Sequence, residues 1–226
     1  AMDTKGEFWS KQGSDISSRH EQHQHDLFGH AIAIAVTNES YHIAIGAPRY
    51  DHHYRNDNMN GTTNNSTTAY RIGRAVVYRF NHTKNEWILY GSSSTILGSV
   101  TAGANAGYSV DLSRNADTLV VGIPGVDTKD DGDMNAFSSS NRGKASILLL
   151  QDGQYGMTTQ LTQPEDLEVD SNNVTITNES EGLFLPGDGT VYDVSISNDG
   201  SVVVVGLPML EDFGRGHVRV YSTKSP

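Results

Sequence analysis

One pattern returns three times along the chain. AIAIAVTNESYHIAIGAP runs over 31–48, GYSVDLSRNADTLVVGIP over 107–124 and YDVSISNDGSVVVVGLP over 192–208. Each copy reads as an alternating strand, a polar turn, a nearly all-apolar strand and then Gly-x-Pro. A further strand-like run follows each: GRAVVYRF at 73–80, GKASILLL at 143–150 and GHVRVYS at 216–222. Tandem copies of one unit constrain the fold more than any single motif. Neighbouring copies must bury what each copy alone leaves exposed.

The repeat reads as four antiparallel strands. In the second copy they are Tyr108–Ser113, Thr118–Ile123, Lys144–Leu150 and Tyr155–Gln160. Tyr108, Val110 and Leu112 alternate with Ser109, Asp111 and Ser113, the period of a strand with two unlike faces. The second strand is apolar on both faces, as a strand sandwiched between neighbouring sheets would be. The fold expected is all-β: a β-propeller of four-stranded antiparallel blades, with three blade equivalents in one domain over 1–226. The blades span about 27–91, 92–160 and 188–226. The third copy lacks a fourth strand, and EFWSKQGSDI at 7–16 reads as the strand that completes it. Three blades fall short of the roughly 4–8 of known propellers. The expected partners therefore include a second copy, forming a homodimer, or another propeller segment that completes the ring.

Charge narrows the partners further. The 226 residues carry a net charge of −11. Such a surface repels phosphate backbones and anionic membranes, so no nucleic acid is expected. No apolar run reaches 18 residues, so no membrane insertion is expected either. The chain has no cysteine, and Ala1-Met2-Asp3 is not expected to begin a secretion signal. Compartment is read from sequons instead. Asn38, Asn60, Asn64, Asn65, Asn81, Asn173 and Asn178 each open Asn-x-Ser/Thr in a turn or insertion, which favours a glycoprotein that is extracellular, on the cell surface or in the secretory lumen.

The long connections point to a binding face. Loops from strand two to three, and from strand four to the next strand one, leave a propeller on the same side. Those loops are long here: Arg49–Ile72, Gly125–Arg142 and Leu161–Asp188. Long loops in compact domains are commonly functional. Tyr50, Tyr54, Tyr70 and Phe137 lie within them as expected ligand anchors.

The remaining chemistry is sparse. Asp127, Asp130, Asp131, Asp133 and Asn135 surround Gly132, and oxygen ligands of this kind suit calcium. The spacing is not that of an EF-hand, and a solvated acidic loop is the simpler reading. No cofactor besides calcium is suggested. His20, His23, His25 and His30 cluster without the carboxylates or thiols that would complete a transition-metal site. There is no Gly-x-Ser-x-Gly and no Ser evidently paired with His and an acid, so no enzyme is expected.

The triplicate pattern resembles the FG-GAP repeats of integrin alpha-chain propellers. Phe28-Gly29 with Gly46-Ala47-Pro48 is the name-giving set. Tyr108 and Ile123 replace parts of it in copy two, and Tyr192 with Gly206-Leu207-Pro208 stands in copy three. Gly-Arg-Ala-Val-Val-Tyr at 73–78 and Gly-His-Val-Arg-Val-Tyr at 216–221 add to the likeness. The resemblance implies recognition or adhesion, with a protein or glycan as ligand. The alternatives are a structural subunit of a larger propeller assembly and an accessory domain of a hydrolase. Many blades of that family carry Asp-x-Asp-x-Asp-Gly calcium hairpins. The hairpins here, at 37–40, 113–117 and 197–200, lack that carboxylate series and resemble the family's calcium-poor branch.

Overall fold

The computed structural model describes residues 10–18, 25–55, 66–69, 71–90, 95–97, 103–125, 144–151, 154–160, 191–207 and 216–222. Among them every regular element is a strand. Strands β1 (Ala31–Val36) and β2 (Tyr41–Ala47) pair through the polar turn between them. A small ribbon, β3 (His52–Arg55) with β4 (Ser66–Ala69), rises from the connection that follows. The chain then returns as β5 (Arg74–Asn81), which pairs with β2 and with β6 (Glu86–Leu89). A short β7 (Thr95–Leu97) takes up the same edge of β5 where β6 leaves off.

The second sheet is β8 (Ser109–Leu112), β9 (Thr118–Ile123), β10 (Lys144–Gln151) and β11 (Gln154–Gln160), paired in sequence order. The third is β12 (Asp193–Ile196), β13 (Val202–Leu207) and β14 (His217–Ser222). The expected strands of all three copies form, and all their pairings are antiparallel. The sheets lie face to face, and their first strands carry most of the contact between them. β8 touches β1 and β2, and β12 touches β8 and β9. Among the described residues the sheets do not close into a ring.

Each contact between sheets sets small residues against large ones. The first sheet offers Ala33, Ala35, Ala44, Ala75 and Val77; the second answers with Val110, Leu112, Leu119, Val121 and Leu148. The reverse face of the second sheet, with Val120 and Ala145, meets Val194, Ile196, Val203, Val205 and Leu207 of the third. Burying each large side chain contributes roughly 1.5–3 kcal/mol. Gly46 shows why the first member is small. A Cβ there would lie 1.9 Å from the Gly107 carbonyl oxygen of the next repeat. Asp111 fastens the second and third sheets by accepting from Ser195 Oγ (2.9 Å) and Ile196 N (2.8 Å).

The N-terminal segment corrects the sequence reading. Residues 10–16 form no strand, and they lie on the first sheet rather than completing the third. Trp87 Nε1 donates to the Gln12 carbonyl (3.0 Å), and Ile16 packs with Ile45, Val76 and Tyr78. Among the described residues no sheet packs on the large apolar face of the first sheet, and this segment covers its outer half.

Candidate functional site at the loop-bearing end

The strand ends that carry long connections are stitched into one platform. Arg71 N donates to Asp51 Oδ1 (2.7 Å) and Gly73 N to the Tyr50 carbonyl (3.1 Å), closing the base of the first loop. Asn105 N and Ala106 N donate to the carbonyls of Arg71 and Ile72, so the segment before β8 is bound to that base. Gly125 N, at the root of the second long loop, donates to the Ala104 carbonyl (3.0 Å). Arg71, Gly73, Gly103, Asn105 and Gly107 all hold positive φ here. Such backbone gathers where local geometry is over-determined by its surroundings.

A buried ion pair anchors the platform. Arg74 Nη2 lies 3.2 Å from Asp26 Oδ2, with both side chains almost wholly buried. Ser18 Oγ bridges them: it accepts from Arg74 Nη2 (2.9 Å) and donates to Asp26 Oδ2 (2.7 Å). Phe28 N donates to Asp26 Oδ1 (3.0 Å). The Arg74 guanidinium lies 4.2 Å above the Tyr50 ring and 5.8 Å from that of Phe28. Paired through Nη2 with carboxylate and hydroxyl and stacked on an aromatic ring, while Nε is buried without a hydrogen-bond partner, this charge is structural.

That contact moves Tyr50 out of its expected role. It is 8 % exposed and packs with Ala47, Ile72 and Phe28, so it supports the platform and offers a ligand nothing. Its position directly after Ala47-Pro48-Arg49, at the loop root, puts it in the core. Tyr54 lies on β3; its side chain, together with Tyr70 and Phe137, falls outside the described residues. So do Asp127, Asp130, Asp131, Asp133 and Asn135, and the sequons at Asn60, Asn64, Asn65, Asn173 and Asn178. Asn38 is exposed in the β1–β2 turn. Asn81 is half-buried at the end of β5, and its Oδ1 accepts from Thr83 N and Lys84 N.

A different set of aromatics occupies this end. His30, Tyr108 and Tyr192 each stand one residue before the first strand of their sheet. The rings form a row: His30 to Tyr108 at 4.7 Å between centroids, Tyr108 to Tyr192 at 5.3 Å and nearly perpendicular. His30 and Tyr192 are exposed and Tyr108 is half-buried. The row therefore crosses all three sheets on the platform side, beside the roots of the long loops. Its signal was in the repeat alignment, because the three positions coincide once the copies are superposed on Gly46, Gly122 and Gly206. The His cluster at 20–30 divides accordingly: His30 joins this row, while His20 and His23 lie outside the described residues.

The opposite, short-turn end is chemically closed. Asp117 accepts from Ser113 Oγ, Asn115 Nδ2 and Thr118 Oγ1, and Asp199 from Ser197 Oγ, Ser201 N and Ser201 Oγ. These hydroxyls, with the Ser201 amide, hold the Asp199 carboxyl at about 2, below its ordinary 3.8. The carboxylates serve the turns. Among the described residues no group of three or more His, Asp or Glu is placed to hold a metal. A cleft of about 210 Å³ lies between the N-terminal segment and Tyr78, Glu86 and Trp87, away from the platform. No protein-family model matches the chain, and no curated protein sequence matches it.

Proposed function

We propose that this chain is a propeller segment of the FG-GAP type that acts as a non-catalytic recognition module, outside the cell or in the secretory lumen. It binds a protein or a glycan at its loop-bearing end. The observation that carries this reading is the row His30–Tyr108–Tyr192, set on a rigid platform from which the long loops spring. Aromatic rings on a preorganised base give large contact area at low entropic cost, which is how recognition surfaces concentrate their binding energy. The net charge of −11 adds to this, since it favours neutral or basic ligands over nucleic acid.

The test compares the unchanged chain with a Tyr108→Ala/Tyr192→Ala double variant and with a variant lacking residues 56–65. Each is used to capture secreted and cell-surface proteins and to probe a glycan array. Loss of the captured partner in either variant is expected. A ligand held equally by all three proteins would place recognition elsewhere and end this reading.

A further inference from the structure

The outer face of the first sheet carries a hydroxyl that packing does not require. Tyr78 stands three residues beyond Ala75 on β5 and pairs with Ile43; Leu148 stands three beyond Ala145 on β10 and pairs with Leu119. The two positions are equivalent, and in the second sheet the apolar Leu148 fills the core. Tyr78 packs with Ile45, Val76 and Ile16 and is only 7 % exposed. Its hydroxyl forms no hydrogen bond among the described residues. Among those residues, the enclosed side-chain atoms without a partner belong to His42, Arg74 and Ser109. The Tyr78 hydroxyl is therefore not sealed in. It opens to the cleft of about 210 Å³ that Tyr78 lines.

The rest of the cleft supplies a ring and negative charge. Gly13 turns the N-terminal segment at φ 68°, so close to the sheet that a Cβ there would lie 3.3 Å from Trp87 Cδ1. Trp87 Nε1 donates to the Gln12 carbonyl (3.0 Å), which fixes the half-buried indole as one wall. Asp15 brings a carboxylate from the segment and Glu86 another from β6. The described residues lining the cleft include no Lys, Arg or His. Lys11 Nζ lies 2.7 Å from Asp15 Oδ1, and Lys84 Nζ lies 3.6 Å from Glu86 Oε1. Both are exposed pairs of the kind that contributes little. The second oxygen of each carboxylate bonds nothing among the described residues.

We propose that this cleft is a second binding site, and that it receives one arginine side chain of a peptide or protein partner. The chain builds the same set of contacts once for itself. Arg74 meets the Asp26 carboxylate, the Ser18 hydroxyl and the Tyr50 ring. The cleft offers carboxylates in Asp15 and Glu86, a hydroxyl in Tyr78 and a ring in Trp87. A guanidinium donates from its edge in a planar fork and stacks by its face, so it uses all three; an ammonium is a point charge that matches fewer of them. The cleft volume is below the roughly 300–1,000 Å³ of sites for drug-sized molecules and suits a single side chain. The net charge of −11 draws cationic partners to the surface. The cleft lies apart from the loop-bearing end, so this proposal stands or falls separately from the recognition reading there.

Titration of the 226-residue chain with an end-blocked Gly-Arg-Gly peptide, followed by amide and indole NMR shifts, tests it. Saturable shifts at the Trp87 indole and at Ser14–Ser17 are expected, weakening as salt is added. The lysine peptide is expected to bind about threefold more weakly or worse, and the neutral citrulline peptide at least about tenfold. Glu86→Gln is expected to weaken arginine binding about tenfold, and Tyr78→Phe about threefold through the loss of one hydrogen bond. Tyr78→Phe keeps the ring in place, and thermal melts matching that of the unchanged chain establish that both variants fold. Equal affinity for the citrulline peptide, shifts confined to other surfaces, or arginine binding unchanged in both variants overturns the proposal. Lysine bound as tightly as arginine overturns the assignment to a guanidinium.

Discussion

Asp26 and Arg74 each make the other tolerable in the interior. Replacing Asp26 with Ala leaves a buried guanidinium without its counter-charge, and a loss of about 3–5 kcal/mol is expected in urea unfolding. Tyr155 carries a smaller stake. Its hydroxyl donates to the Ala116 carbonyl in the β8–β9 turn, and burial pushes its pKa well above the usual tyrosine range. Tyr155→Phe is expected to cost about 1–3 kcal/mol, the penalty of an orphaned buried carbonyl, also read by urea unfolding. His42 gives the chain a pH dependence. It is buried beside Tyr90 with neither ring nitrogen partnered. Burial, and then the charge of Arg79, hold its pKa below 6.5, while Glu39 pulls the other way. The unfolded chain therefore takes up the proton more readily. The stability of neutral His42 is complete above about pH 6.5 and is lost as pH falls below it. His42→Phe is expected to flatten that part of a stability–pH curve; an unchanged slope would assign it to other groups.

At the scale of elements, the hairpins show one solution worked out with different residues. Ser113 to Asp117 and Ser197 to Ser201 make equivalent turns, with Ala116 (φ 58°) where the third copy has Gly200 (φ 76°). Ala116 bears the left-handed strain that glycine avoids, so Gly200→Ala is expected to cost only about 1 kcal/mol. Gly46 stands in contrast, because its limit is a neighbouring backbone rather than a dihedral. Gly46→Ala is expected to cost about 3 kcal/mol or more and to melt the first and second sheets apart. Thermal melts of the two variants separate these cases. The sequence signalled both turns, since Asn198-Asp199-Gly200 is hairpin chemistry. It was silent on β3, β4 and β7. SerThrThrAla and ThrIleLeu are too short to show a period, and they become strands only because a neighbouring edge is free to pair.

At the scale of the whole molecule, association of copies through the exposed Ile32, Ile34 and Val36 would make the melting midpoint rise with protein concentration, whereas a constant midpoint belongs to a monomer. The strand order and the turn positions were legible in the repeated pattern, because period-two alternation and turn chemistry act between near neighbours. Where the N-terminal segment lies was not legible. Residues 7–16 read as the strand that completes the third copy, yet residues 10–16 settle on the first sheet, with Ile16 packed on Ile45, Val76 and Tyr78. Tyr50 misled in the same way: an aromatic in a polar loop looks like an anchor until Arg74 is found stacked on it. The row His30–Tyr108–Tyr192 exists only once three sheets lie side by side. Local sequence decides which strands form and which way their side chains point. Which faces find a cover, and which stay open for another molecule, depends on contacts between residues dozens of positions apart, and those are set only when the sheets stack.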